Sequence, residues 1–294
     1  MAAGVEVGRP VESMRSRTGQ TSRRVQLVVA YLALGIGSLW ALAPFLWMIS
    51  TSLKTDSQVL VYPPAWIPNP VAWGNYEQVT RLVPFWRFLV NTAIVAVTVT
   101  ILELVTSSFA AYAFARLRFP GRDKLFLLYL ATLMIPGQVT LIPNFLVISW
   151  LGWVDTYAAL IIPAAFSAFG TFLLRQFFLT IPLELEEAAV IDGASRLRIL
   201  LQVIVPIARP AIAVLAVFTF INYWNSYLWP LIIINSLEKA TVPLGLGYFL
   251  SQNGNEWHLL MAACAISMLP TVVIVVLLQR HLVRGIAISG MGGR

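Results

Sequence analysis

Apolar residues in this chain run in blocks too long for a soluble core, broken by short polar segments rich in arginine. Six stretches stand out, at about 26–49, 88–115, 125–148, 157–178, 207–234 and 259–282. A helix crosses the bilayer hydrocarbon with about 20 mostly apolar residues, and each stretch is that long. Polar segments separate them, with one short connection at 149–156 (Ser-Trp-Leu-Gly-Trp-Val-Asp-Thr). The pattern predicts an all-α membrane protein with six transmembrane helices. Residues 1–25 form a basic N-terminal segment, 26–284 the membrane body and 285–294 a glycine-rich tail. No internal repeat of useful length is evident.

Composition agrees with this pattern. Only 11% of the 294 residues are charged and 59% are hydrophobic, where a soluble domain carries about a quarter charged residues. The net charge of +7 does not gather into a nucleic-acid-binding patch but falls in clusters between spans. Of the 20 Lys and Arg, only Lys54, Arg81, Arg87 and Lys239 lie on one side, leaving sixteen on the other. The positive-inside rule then predicts that both termini are cytoplasmic. The basic start, the apolar run from Leu27 and Ala41-Leu42-Ala43 imitate a cleavable leader. The long basic region and hydrophobicity continuing through Ile49 argue for a retained first span instead.

Little in the chain suggests catalysis. The single cysteine, Cys264, lies in an apolar run, so it predicts neither a disulfide framework nor a thiolate metal site. His258 and His281 stand at opposite ends of one span, and neither belongs to a metal or nucleophile constellation along the sequence. There is no GxxxxGK[ST] loop, so ATP and magnesium would have to bind a separate ATPase.

Residues 179–206 connect the fourth and fifth spans on the arginine-rich side. Pro182 permits a helix start, and Glu184, Glu186 and Glu187 suit the positive end of its dipole. Ala188 and Ala189 keep the helix slim with high propensity. Three residues on, Gly193 follows Asp192 and predicts a positive-φ stop. A second helix from about 195 should run into Pro206. Glu187-Ala188-Ala189, three residues, Gly193, nine residues, then Val203-Ile204-Val205-Pro206 resembles the cytoplasmic coupling loop of ABC-importer permeases.

That resemblance covers roughly residues 30–294 and points to the smaller permease subunit of maltose and glycerol-phosphate importers. Phe88-Leu89-Val90-Asn91-Thr92, Ala110-Ala111-Tyr112-Ala113-Phe114-Ala115-Arg116 and Phe119-Pro120-Gly121-Arg122 carry it. So do Met134-Ile135-Pro136-Gly137-Gln138-Val139, Gly152-Trp153-Val154-Asp155-Thr156-Tyr157 and Trp224-Asn225-Ser226-Tyr227-Leu228-Trp229-Pro230. Val203 and Val205 depart mildly, standing where the family carries Ile and Leu. The resemblance implies a type I ABC-importer permease fold with a coupling helix between helices 4 and 5. Its implied partners are a related permease, an ATPase dimer, an extracytoplasmic solute-binding protein and a sugar-type substrate. The implied location is the inner membrane. It also implies that the tail, with Ser289, Gly290 and Gly292, inserts between the ATPase subunits.

Substrate-pathway candidates come from polar groups inside spans. Asn222, Tyr223, Trp224 and Asn225 end the fifth span and combine amides with aromatic faces, while Trp229 reads as interfacial belt. Glu103, deep in the second span, shares a helical face with Thr100, Thr106 and Ser107. A charge at that depth costs about 2.5–3.5 kcal/mol on insertion scales, so this face packs inside protein or lines a pathway. Pro136, Gly137 and Pro143 interrupt the third span, either kinking it or breaking it beside the route. The competing function is an ion-coupled secondary transporter, which usually carries several intramembrane ionisable groups and internal repeats. A membrane-embedded enzyme would need a convergent set of His, Asp or Cys, which the sequence lacks.

Overall fold

A computed structural model describes residues 15–251 and 254–291, with side chains over 26–250 and 255–279. The helices in chain order are α1 (Arg15–Ser52), α2 (Asp56–Val59), α3 (Gly74–Leu82), α4 (Phe85–Arg116) and α5 (Arg122–Ala131). Next come α6 (Gly137–Trp150), α7 (Tyr157–Ile161), α8 (Ala168–Leu179), α9 (Glu184–Ile191), α10 (Arg196–Ile199) and α11 (Val205–Ile207). α12 (Arg209–Trp224), α13 (Leu228–Ile233), α14 (Val242–Leu246) and α15 (Trp257–Met291) complete the set. A two-residue antiparallel ladder, Leu250–Ser251 with Gly254–Asn255, precedes α15.

Among the described residues, four helical segments are long and apolar enough to cross a membrane: Gln26–Ser52, Phe85–Arg116, Tyr157–Leu179 and Trp257–Gln279. Two bent helix pairs are long and apolar enough when taken together, which makes six crossings if each pair is one span. Arg122–Met134 meets Gly137–Trp150 at 99°, and Arg196–Ile207 meets Arg209–Trp224 at 81°. The third span is therefore broken rather than kinked, and Pro136 stands at the N-cap of α6 with extended ψ of 133°. Proline lacks the N–H that would continue the ladder, so the break falls there. Pro143 is carried inside α6. The expected fifth span of 207–234 needs correction: its helix ends at Trp224, and Leu228–Ile233 forms a separate short helix.

At the centre lies α4, packed against α8 and α12, while α1 meets the rest mainly through α15. The buried face of α4 repeats at three and four residues, through Phe88, Thr92, Val95, Val99, Glu103, Ser107 and Ala111, which is the helical stripe expected from 3.6 residues per turn. Small residues there allow close approach. A Cβ added at Gly170 of α8 would lie 2.6 Å from Ser107 Oγ, so only glycine fits at that crossing.

The opening of α4 explains its Asn91-Thr92 pair. Asn91 Nδ2 donates to Glu238 O and Ala240 O, both at 2.9 Å, and Asn91 Oδ1 accepts from Tyr157 Oη at 2.7 Å. Thr92 Oγ1 accepts from Val242 N at 2.8 Å. One amide thus satisfies two loop carbonyls and a phenol, groups that would be costly to leave unpaired. A second lock holds the same loop. Asp155, at φ +60°, accepts through Oδ1 from Asn235 N (3.1 Å), Ser236 N (3.1 Å) and Ser236 Oγ (2.9 Å). Its Oδ2 meets Lys239 Nζ at 3.1 Å. Burial raises the Asp155 pKa, but the Ser236 and Asn235 donors and Lys239 outweigh it and bring it down to about 2.

Two outcomes follow from these locks. Asn91→Leu keeps the volume but orphans two carbonyls and a hydroxyl. It should cost about 2–5 kcal/mol, read as a lowered melting temperature of the purified assembly. The Asp155 pKa is depressed on folding, so its stabilisation is present above the ordinary carboxylate range and is lost as pH falls toward about 2. Melting temperature should therefore drop between about pH 5 and pH 2, and Asp155→Asn should lower it at neutral pH and flatten that dependence.

Candidate functional site

The loop after α8 forms a helix–glycine–helix elbow. Gly193 has φ +77°. Its N–H bonds to Val190 O at 3.0 Å, and Ala194 N bonds to Ala189 O at 2.9 Å. These two bonds make a Schellman stop, which needs a left-handed residue at its centre. A Cβ at Gly193 would meet nothing within 4 Å, so glycine is required there by φ and not by space. Ser195 caps α10, its Oγ accepting from Arg198 N at 3.4 Å. A π-helical turn over Leu200–Ile204 follows. Pro206 and then Pro210 withdraw two backbone donors, and the chain bends by 81° into α12. The expected second helix thus reaches Pro206 through a distorted turn rather than as a straight rod.

Rotation of α9 divides its glutamates. Glu187 and Ala188 are exposed, with Asp192 and Gly193 beyond them, and Ile191 is 86% exposed. Ala189 is half-buried against the core. Glu186 points inward and is 3% exposed. Its Oε1 lies 2.7 Å from Arg116 Nε at the end of α4, an electrostatic contact without good hydrogen-bond alignment. Arg116 Nη2 donates to Phe178 O (2.7 Å) and Ile181 O (2.5 Å), and Tyr112 Oη lies 3.5 Å from Glu186 Oε2. Sequence reasoning selected Glu187 and missed Glu186, Arg116 and Tyr112. The available signal was an arginine closing a span four residues after a tyrosine, opposite a loop with three glutamates.

The pathway candidates separate into two groups. Glu103, Asn222 and Tyr223 line one cavity of about 320 Å³ together with Ser167, Phe169, Phe218 and Thr219. Tyr223 also borders a second cavity of about 250 Å³, with Asn144, Ser226 and Trp229. Trp224 lies elsewhere, 4% exposed, stacked on Phe220 and donating from Nε1 to Ser267 O at 3.0 Å. Asn225 is exposed and its Nδ2 donates to Ile221 O at 2.8 Å, closing the end of α12. Trp229 is half-buried and donates from Nε1 to Ala159 O at 3.0 Å. Ser289, Gly290 and Gly292 lie outside the residues whose side chains are described.

The inward ion pair yields a test. Glu186→Gln leaves Arg116 buried without its countercharge, at a cost of about 3–5 kcal/mol. Loosening of α9 should show as faster backbone hydrogen exchange over 184–193. Glu187→Gln, on the exposed face, should leave that exchange unchanged.

The chain matches the family model "Binding-protein-dependent transport system inner membrane component" over residues 103–288. It is 37% identical over 276 residues to the sn-glycerol-3-phosphate transport system permease protein UgpE of Yersinia pestis bv. Antiqua (strain Antiqua), covering 91% of this chain and 98% of that one. The protein of the same name from Escherichia coli O1:K1 / APEC is 42% identical over 212 residues, covering 71% and 75%. A bacterial ABC transporter involved in import of the acidic polysaccharide alginate contains a similar chain. That chain has a TM-score of 0.77 and 26% identity, with 92% of this chain and 99% of that one covered. With an exposed Glu-Ala-Ala elbow anchored to a six-span helical body, the protein belongs to the family of binding-protein-dependent transport system inner membrane components.

Proposed function

We propose that this chain is one of two permease subunits of an ATP-driven importer for a sugar or sugar derivative, of the oligosaccharide or glycerol-phosphate class. Its partners in this reading are a related permease, an ATPase dimer with ATP and magnesium, and an extracytoplasmic solute-binding protein. The observation that carries the reading is the elbow. Glu187, Ala188 and Ile191 face outward on a helix whose inward face is held to α4 by Glu186 and Arg116. An exposed apolar knob on a rigid mount suits a cleft on an ATPase. Closure of the ATPase dimer would move the elbow, the mount would move α4, and the pore would alternate its access. Both termini are cytoplasmic in this reading, because the arginine-rich segments share the elbow's side. The tail residues Ser289, Gly290 and Gly292 would lie between the ATPase subunits.

For substrate, the cavity around Glu103 offers a carboxylate, hydroxyls, an amide and aromatic faces. These accept and donate to sugar hydroxyls. Neither cavity at Tyr223 is lined by Lys, Arg or His among the described residues. A phosphate-bearing substrate would take its cationic contact from the partner permease.

Gly193→Leu tests the coupling role. The left-handed position penalises leucine by about 1–2 kcal/mol, enough to reshape the elbow without touching a span. Reconstituted with its partners, the variant should assemble normally yet lose substrate-stimulated ATPase activity and uptake. Wild-type stimulation would remove the elbow from the mechanism. Uptake by the wild-type assembly should require ATP; uptake driven by an ion gradient alone would favour a secondary transporter.

A further inference from the structure

Along the sequence His258 has only Glu256 beside it, but the fold adds Asp56. In the first turn of α15 its side chain is 8% exposed, against a carboxylate on either side. Nδ1 lies 3.7 Å from Asp56 Oδ1, at the start of α2, and Nε2 lies 3.7 Å from Glu256 Oε2. One donor atom from each of the three residues falls within 4.8 Å of the other two. Both separations are too long for hydrogen bonds. Nδ1 is buried without any hydrogen-bond partner, an unusual condition for a polar atom that far from water.

We propose that His258, Asp56 and Glu256 form a binding site for a divalent transition-metal cation of the zinc type. An imidazole nitrogen with two carboxylate oxygens suits zinc, whereas calcium and magnesium take all-oxygen shells. Donors around tetrahedral zinc, bound at about 2.0–2.1 Å, sit roughly 3.3–3.4 Å apart. One zinc takes one imidazole nitrogen, so the carboxylate facing that nitrogen closes from 3.7 Å and the other from within 4.8 Å, a contraction of about 0.3–1.5 Å. Asp56 and Glu256 can supply it, because their side chains are 77% and 52% exposed and free to rotate. The imidazole is the fixed member, and water completes the shell. The Glu256 backbone is itself held, its N–H bonding to Phe249 O at 3.0 Å and its carbonyl accepting from Leu260 N at 2.8 Å. Lys54, the nearest cation along the chain to Asp56, keeps its ammonium 3.9 Å over the Trp47 ring.

The site stands at the opposite end of the molecule from the elbow. The segment leading into α15 packs with Phe85 and Phe88 at the start of α4, while Arg116 closes the other end. A bound cation would tie α2, just after the first span, to the head of the last span. It would thereby fix the face on which a solute-binding protein is expected to land.

The test uses the whole transporter, purified in lipid nanodiscs, stripped with chelator and dialysed against zinc chloride. Zinc bound at equilibrium is counted by mass spectrometry for wild type, His258→Ala and the double variant Asp56→Asn/Glu256→Gln. The double variant changes only exposed carboxylates, so it keeps the test open if His258→Ala folds poorly. Wild type should bind one more zinc per copy of this chain than either variant, or bind that zinc at least about tenfold tighter. Zinc should also raise the melting temperature of wild type alone. Equal zinc binding by all three proteins would overturn the proposal. So would a wild-type melting temperature that shifts with pH and ignores zinc, since that would mark a histidine–carboxylate pair.

Discussion

The close approach of α8 and α12 to a stripe of small and hydroxyl-bearing residues on α4 sets the positions of the other helices. Lipid tails are as apolar as leucine, so no solvent squeezes these helices together. Contact must come from surfaces that fit. Ser107, Ala111 and Ala115 keep α4 slim, and Gly170 removes a Cβ that would collide with Ser107. Because α4 is continuous over 32 residues, it spans about 48 Å and carries a lock at each end. Asn91 and Thr92 hold the 238–242 loop at its start. Arg116 holds Glu186 at its finish. A rigid rod with both ends fixed is a suitable element for passing displacement from the elbow to the opposite face.

The interruptions in the spans follow from the same environment. Within hydrocarbon, unpaired backbone groups are tolerated only where protein or a wet cavity receives them. The 99° break at Pro136 and the 81° bend before Pro210 both release such groups. Meanwhile α1 and α6 present long apolar surfaces outward, including Trp40, Val139, Ile142 and Trp150. In an isolated soluble chain these would be an aggregation hazard. A protein embedded in a bilayer can leave such surfaces to lipid.

Polar residues inside the body are spent economically. Trp224 and Trp229 both carry an indole N–H, and both have it satisfied by a carbonyl on another segment, as buried indoles require. Glu103, Ser167, Thr219 and Asn222 instead face a cavity. That division separates residues that knit distant segments together from residues that border open space.

Local physics made much of this legible from the chain alone. Hydropathy and length placed the crossings, since hydrocarbon thickness fixes how many apolar residues a helix needs. The positive φ at Gly193 and the helix stop before it were readable because only glycine takes that conformation without strain. An interruption near Pro136 was signalled by the missing N–H, but whether it kinks or breaks the span was not. Facing was not legible. Three glutamates within four positions of α9 look alike in sequence, and only the packing of α9 against α4 turned Glu186 inward and left Glu187 outside. The end of the fifth span at Trp224 was hidden because the apolar run continues beyond it. Asp56 and His258 are far apart in sequence, so their adjacency depended on how the first and last spans pack. Periodicity and composition act over a few residues, whereas these pairings are decided by the rotation and contact of whole helices.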